Sequence, residues 1–372
     1  MRELFWAAAA FIAYSYVGYP CWLWVRQYLK PSPVRRAAFA PPISVVMVVR
    51  NEAAVVDGKL RNLLSLDYPD DRREIVIVSD GSTDGTNEIL ARYEGDARVK
   101  VVLVPKPNGK ADGLNQAIAA ASGELVVFTD ARQRLEFGAL RLLMENFADP
   151  SVGCASGELM LGDSASGESI KGMGLYWRIE KCVRELESAS GSVVGATGAI
   201  YAVRRELLIP VPSGTILDDV LIPMNVVRQG ARVVFDPRAR AWDSPDLGVE
   251  REFARKVRTL GGNYQLLQLA PWLLSRANLI RFEFVSHKLL RLAVPFGLVV
   301  VFVISLLLRQ PVYRAALVLQ AGFYGLSLLK LAGLGRGPLA RVADAALTFV
   351  VLNTAAIVAF AHFVTGRKAV WT

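Results

Sequence analysis

The chain has 372 residues, 53% of them hydrophobic and 21% charged, with a net charge of +9. At about 150 residues per domain the length suggests two or three units. A charged fraction below the usual ~25%, with a mean hydropathy of +0.32, excludes a disordered or fibrous chain and an ordinary soluble enzyme. The apolar excess lies in roughly the first 25 residues and the last 80, so the composition describes a globular domain tethered to a bilayer at both ends.

Leu4 to Val25 is an uncharged apolar run, long enough to cross about 30 Å of hydrocarbon. Trp6, Trp22, Trp24 and Tyr28 supply interfacial aromatics, and Arg26, Lys30, Arg35 and Arg36 follow. A cleaved signal peptide is disfavoured, because the charge comes after the run and no A-x-A-like site follows. The first unit is therefore an N-terminal span over residues 1–30.

Pro41-Pro42 closes a polar linker. Ile43 to Val49 is continuous and β-branched, the pattern of a strand buried on both faces. A helix is predicted over Glu52 to Leu66, a strand over Glu74 to Ser79 and a helix over Asp84 to Tyr93. A strand over Val99 to Val104, a helix over Lys110 to Ala121 and a strand over Glu124 to Thr129 follow. This alternation predicts βαβ units in an α/β fold with a mainly parallel sheet, whose ligands sit at the carboxyl ends of the strands.

The polar residues of interest fall at those ends. After the second strand comes Ser79-Asp80-Gly81-Ser82-Thr83-Asp84-Gly85-Thr86, where Asp80 can accept hydrogen bonds from a base or ribose and Ser82, Thr83 or Asp84 can cap the next helix. A calcium loop, D-x-S-x-D-G, is the alternative, but the downstream bidentate Glu is missing. After the fourth strand comes Thr129-Asp130-Ala131-Arg132, with Asp130 a candidate metal or phosphate-site carboxylate. The only histidines, His287 and His362, lie in the membrane-associated third, so a general base in the middle domain is a carboxylate or a rarer choice. Three cysteines make no disulfide framework and suit a reducing compartment. The basic excess clusters beside the apolar runs, which suits anionic headgroups. Motifs of nucleic-acid binders are missing, so no nucleic-acid partner is expected.

Gln265 to Arg291 mixes Leu and aromatic residues with Arg276, Arg281 and Lys288, and Pro271 breaks it. It reads either as interfacial helices with their basic side toward headgroups or as ordinary packing helices. Uncharged runs follow at Leu292 to Leu308 and Ala315 to Leu329, and a third at Val342 to Val364 carries Asp344 and His362 near its ends. The division is then 1–30, a domain over 41–264, an interfacial stretch over 265–291 and three spans over 292–366. Four spans put both termini on one side. Arg26 to Arg36, Lys288, Arg291, Lys330, Arg336 and Arg341 place the middle domain in the cytoplasm by the positive-inside bias; Arg309 and Arg314 weaken that bias slightly.

Arg50-Asn51-Glu52, SDGSTDGT (79–86), KPNGKADGLNQAI (106–118) and TDA (129–131) arrive in an order that resembles the donor half of family 2 glycosyltransferases with a GT-A fold. Gly195 to Tyr201, Leu217-Asp218-Asp219-Val220 and Arg255 to Thr259 resemble the acceptor half, and the resemblance covers roughly residues 41 to 270. The flanking spans resemble those of membrane-embedded synthases of cellulose, hyaluronan and poly-N-acetylglucosamine.

The resemblance implies that Asp80 contacts the uracil or ribose of a UDP-sugar with Glu52 beside it, that Lys110 lies near the diphosphate, and that Asn115, the matching asparagine on the following helix, belongs to the nucleotide-sugar-binding set. It implies that Asp130, the first acid of D-x-D, helps hold a divalent cation (Mg²⁺ or Mn²⁺) and that Asp219 of the E-D motif is the general base. Thr197, Gly198 and Asp218 fall on the acceptor side, and Arg258 matches the arginine of Q-x-x-R-W. Independently, a leaving diphosphate needs neutralising charge, and Asp218 raises the pKa of Asp219 by like-charge repulsion. The other reading of Asp218-Asp219 is an N-cap pair.

Two positions depart from the pattern. Arg132 stands where D-x-D has its second acid, and Arg255 and Thr259 replace Gln and Trp of Q-x-x-R-W. Loss of that tryptophan argues against a long processive polymer, unless Tyr176 or Trp177 serves instead. The expected protein is an integral membrane enzyme of a bacterial inner membrane. It transfers a sugar with inversion from a UDP-sugar to a lipid-linked or polysaccharide acceptor, with membrane lipids and a homo-oligomer or secretion partners around it. The alternatives are a polyprenyl-phosphate glycosyltransferase, whose anionic acceptor needs no base, and a catalytically silent GT-A scaffold of a polysaccharide secretion complex.

Overall fold

The computed structural model describes residues 1–163, 168–169, 175–243, 249–332 and 338–366. Helix α1 (Arg2–Leu29) is the first candidate span. The strands are β1 (Ile43–Val49), β2 (Arg73–Asp80), β3 (Val99–Val104), β4 (Leu125–Phe128), β5 (Arg134–Leu135), β6 (Val152–Asp163), β7 (Glu168–Ser169), β8 (Tyr201–Arg204) and β9 (Arg232–Asp243). Between them run α2 (Val56–Leu64), α3 (Thr86–Ala91), α4 (Lys110–Ala120), α5 (Ala139–Met144), α6 (Leu175–Ser190) and α7 (Asp218–Arg228), followed by α8 (Val249–Leu269). Three further candidate spans close the described chain: α9 (Arg281–Leu307), α10 (Pro311–Leu331) and α11 (Pro338–Val364).

The sheet order is β3-β2-β1-β4-β8-β6-β9-β5, with β7 on β6. The first four positions are parallel, with Val45 opposite both Ile75 and Val127. The sheet becomes mixed where β8 joins β4 antiparallel, Phe128 facing Tyr201. The uninterrupted apolar β1 is buried along its whole length. Val46 and Val48 enter the core under α4, α7 and the end of α8; Val45, Met47 and Val49 enter the core under α2 and α5. Period-2 alternation of side chains thus feeds two apolar layers from one strand. The carboxyl ends of β1, β2 and β4 converge on one edge.

The stretch over 265–291 differs from a layer of helices on headgroups. Helix α8 continues to Leu269, a short turn covers Pro271–Leu274, and Arg281 begins the second span. Leu266, Leu273, Ile280 and Phe284 are buried in the domain core, while Leu274, Leu279 and Phe282 remain exposed. Pro271 does break the helix, since proline cannot continue the backbone ladder. At the other end of the spans, Lys330 pairs with Asp344 at 2.8 Å. Arg336 lies outside the described residues.

Candidate active site

The site is assembled from strand tips and two helix starts. After β1 the chain turns at Asn51, whose φ of 55° is the left-handed conformation that Asn tolerates. Asn51 Oδ1 accepts from the Thr83 amide at 2.8 Å, and the Glu52 and Ala53 amides donate to Thr86 Oγ1 and Asp84 Oδ2, each at 3.0 Å. These bonds stitch the β1 and β2 loops together. They also hold Glu52 beside Asp130 and Arg132: burial pushes its carboxyl up, Arg132 opposes, and Asp130 and Asp84 add to the rise. Asp84 Oδ1 also accepts from the Thr86 amide at 3.1 Å. Asp80 and Asp84 therefore serve different loops, and among the described residues no three His, Cys, Asp or Glu side chains converge as a metal cage.

Asp80 is not presented to a nucleoside. It is fully buried, and its two oxygens accept from the Asn108 and Gly109 amides at 2.7 and 2.8 Å. The expectation of a base or ribose contact is corrected here: the 106–109 loop covers the strand tip and uses the carboxylate to fix the start of α4. Asn115 is corrected too. Its amide donates to the Val211 carbonyl and its Oδ1 accepts from the Val211 amide, both at 2.8 Å, so its polar group clamps a loop instead of being turned to a nucleotide-sugar.

Lys110, the first residue of α4, lies at the centre. Its Nζ is 3.0 Å from Asp130 Oδ1 and 3.3 Å from Asp218 Oδ1. Burial works against its charge, yet Asp130, Asp218 and Asp219 hold the ammonium well above the ordinary lysine range. Leu217 occupies the N-cap of α7, and Asp218 and Asp219 follow it in the first turn, so neither is itself the capping residue. Burial and then the Asp218 charge push Asp219 up to about 6, against Lys110 and Lys288. Burial raises Asp218 as well, with Lys110 opposing.

The loop before β8 closes the site. The Ala196 amide donates to the Asp219 carbonyl at 2.7 Å, and the Thr197 amide to Ser156 Oγ at 3.1 Å. Gly198 lies between the two carboxylates: a Cβ there would be 3.3 Å from Asp130 Oδ2 and 3.6 Å from Asp219 Oδ2. That space is where a hydroxyl or a cation can meet both groups. Helix α8 approaches closely enough that a Cβ on Gly262 would be 2.6 Å from Leu217 Cγ. Arg258 lies about one turn before that contact and pairs with no carboxylate among the described residues, while Arg255 bonds Glu252 at 2.8 Å. Arg132 is exposed and its cation cannot ligate a metal. Trp177 is half-buried on α6; the side chain of Tyr176 lies outside the described residues.

Two groups behind the site carry no motif. Lys59 is 4% exposed, and its Nζ donates to Thr129 Oγ1 at 2.8 Å and to the Gln133 carbonyl at 2.5 Å. Thr129 Oγ1 in turn donates to the Ala199 carbonyl at 2.8 Å, so Lys59 ties the Asp130 loop to the Gly198 loop. Burial lowers Lys59 to about 7, with Asp130 opposing. The signal was present: Val56, Lys59, Leu60 and Leu63 form an i, i+3, i+4, i+7 stripe with one lysine in it. Tyr201 stacks on Phe128 at 4.5 Å, and its buried hydroxyl has no hydrogen-bond partner among the described residues.

Residues 44–210 match the model described as glycosyl transferase family 2. That stretch is similar to family 2 glycosyltransferases. The chain is 26% identical over 234 residues to a poly-β-1,6-N-acetyl-D-glucosamine synthase of Staphylococcus epidermidis, covering 62% of this chain and 56% of the relative. It is 24% identical over 229 residues to the synthase of Staphylococcus aureus strain COL, covering 60% and 55%. The chain spans about half the length of these curated relatives. A mannosyltransferase from Pyrobaculum calidifontis, solved with GDP-Man and Mn²⁺, superimposes with a TM-score of 0.70 at 23% identity, covering 98% of this chain and 100% of that one. The fold is GT-A-like, with four candidate membrane-spanning helices beside it.

Proposed function

We propose that this protein transfers a sugar, with inversion, from a UDP-sugar to a hydroxyl of a membrane-associated acceptor at the cytoplasmic face of a bacterial inner membrane. The observation that carries the reading is the carboxylate pair across Gly198. Asp219, pushed up to about 6, faces Asp130 there while Lys110 bonds Asp130 from the other side. A base with a pKa near the working pH removes a proton most effectively in the transition state.

In a single displacement the acceptor oxygen forms a bond to the anomeric carbon as the bond to the diphosphate oxygen breaks. Asp219 takes the acceptor's proton, and Lys110 offsets the charge that develops on the diphosphate, a role Arg258 of α8 would share. Asp130 fits a divalent cation that arrives with the diphosphate, because Mg²⁺-like ions take one or two carboxylates plus substrate phosphates. Its Oδ1 is held by Lys110 and its Oδ2 borders the Gly198 space. Such a cation would supply further positive charge against the leaving group. Asp80 and Asn115 contribute by fixing the loops around Lys110 and Val211.

The test is nucleoside diphosphate release by the full chain in detergent against UDP-sugars and GDP-mannose, with and without Mn²⁺ or Mg²⁺, beside calorimetric titration with UDP and GDP. Release from a UDP-sugar that requires the ion supports the reading. A chain that binds neither nucleotide overturns it and leaves a silent scaffold.

A further inference from the structure

The segment that delivers Asp219 has no regular structure of its own. Before α7 the chain runs through residues 211–217 and enters the helix at Asp218 and Asp219. Its tip is exposed at Pro212, Ser213 and Gly214, and Gly214 turns the backbone with a φ of 75°. An exposed turn built on glycine has no core of its own to fix it.

Two side-chain amides hold this turn, one from each neighbouring helix. Asn115 of α4 grips the Val211 backbone through both its donor and its acceptor. Gln265 of α8 does the same closer to the helix start. Its Oε1 accepts from the Ile216 amide and its Nε2 donates to the Gly214 carbonyl, each at 2.9 Å. Ser213 Oγ adds a bond to Asp112 of α4 at 2.6 Å.

The helices joined in this way carry charges of the reaction. Helix α4 begins with Lys110. On α8, Arg258, Gly262 and Gln265 stand at i, i+4 and i+7 and so share one face. That face lies against the start of α7: a Cβ on Gly262 would be 2.6 Å from Leu217 Cγ and 3.0 Å from Ile216 Cγ2. The Leu217 carbonyl accepts the first helical bonds of α7, from the Val220 and Leu221 amides. Gln265 therefore bonds the residue just before the N-cap of the helix that presents Asp219.

The two bonds of Gln265 add little to the fold as a whole. Ile216 is half-buried and Gly214 exposed, so water can take both backbone groups when the side-chain amide is removed. Helix α8 also keeps its own place, because Leu266 is fully buried in the domain core. What the amide supplies is the location of the turn.

We propose that Gln265 is a positioning residue for the transfer: it sets the start of α7, and hence Asp219, against the α8 face that carries Arg258. The inference rests on the transferase reading and adds to its site a residue that acts only through the backbone it bonds. A reacting group displaced by about 1 Å from its productive geometry can cost about 10²-fold in rate.

The test uses the full chain in detergent with two variants. Gln265→Leu loses both bonds, whereas Gln265→Glu keeps the acceptor for Ile216 and loses the donor for Gly214. Measured are kcat, KM for the sugar donor, UDP affinity by calorimetry, melting temperature and hydrogen exchange over residues 211–220. Gln265→Leu should lower kcat by about tenfold or more and leave donor KM and UDP affinity within about threefold of wild type. Exchange over 211–220 should quicken, and Gln265→Glu should fall between Gln265→Leu and wild type. Unchanged kcat in Gln265→Leu would overturn the proposal. So would loss of UDP affinity in step with kcat, or a lowered melting temperature with equal loss of kcat in both variants, because those mark a merely structural residue. Unchanged exchange over 211–220 removes the clamp and leaves the transferase reading intact. A wild-type chain that turns over no UDP-sugar fails the transferase reading itself, and the positioning role with it.

Discussion

Replacing Asp219 with Asn separates activity from stability in opposite directions. The side chain keeps its shape and loses its basicity. General-base catalysis contributes about 10²- to 10⁴-fold, so turnover should fall by that factor, about 3–5 kcal/mol of barrier. The folded chain should become more stable at neutral pH. Burial and the Asp218 charge raise the Asp219 pKa from 3.8 to about 6, so the folded state holds a proton that the unfolded chain releases between those values. Stability is therefore lost as pH climbs from about 3.8 through about 6, by at most about 3 kcal/mol at 1.36 kcal/mol per pKa unit. The Asn variant escapes this penalty. The assays are sugar transfer from UDP-sugar against pH and chemical denaturation against pH for both proteins. Wild-type transfer should rise through about pH 6 and then level. Near-normal turnover in Asp219→Asn would refute the base role and favour an acceptor that is already anionic, such as a polyprenyl phosphate. Unchanged stability with lost activity would refute the burial reasoning while leaving the base in place.

Three further changes probe the surroundings. Gly198→Ala puts a methyl 3.3 Å from Asp130 Oδ2; we expect normal folding by circular dichroism with more than tenfold loss of turnover, and full activity would show that the space between the carboxylates is unused. Lys59→Met should cost about 1–3 kcal/mol by leaving the Gln133 carbonyl and Thr129 with one partner fewer. Because the folded pKa of Lys59 is lowered from 10.5 to about 7, wild-type stability should rise from pH 7 towards 10, and in Lys59→Met denaturation should show that slope gone. Arg132→Asp returns a second acid to the Asp130 loop, so calorimetry with UDP should find tighter Mn²⁺ binding; no change would mean that this position does not face the diphosphate.

The parallel half of the sheet was legible because its strands are short apolar, β-branched runs that alternate with helical stretches, β1 and β4 being buried along their whole length. Ile43 to Val49 and Val99 to Val104 occupy the predicted residues, and the second and fourth strands differ by a residue at their ends. The predicted helix over Glu52 to Leu66 is shorter, Val56–Leu64, because Glu52 and Ala53 are held by the β2 loop. The site was less legible. Lys110, Asp130, Asp218, Asp219 and Gly198 come together, while Asp80 and Asn115 bond loops that the linear motif could not place. His287, placed by the sequence only in the membrane-associated third, is packed against Glu180 and Glu187 of α6.

By itself the sequence determined the alternation of strands and helices, the four apolar helices and the order of polar motifs at the strand ends. Local periodicity and run length decide which faces a segment must bury, and those are properties of contiguous residues. Tertiary structure decided which polar groups stay available for chemistry. Asp80 is covered by a loop 28 residues away and Lys59 bonds a loop 70 residues away. His287 of a span is brought between Glu180 and Glu187 of α6 by the packing of that span against the domain. A carboxylate or ammonium exchanges water for whatever partner the fold brings to it, and that partner comes from sequence-distant segments that no local pattern records.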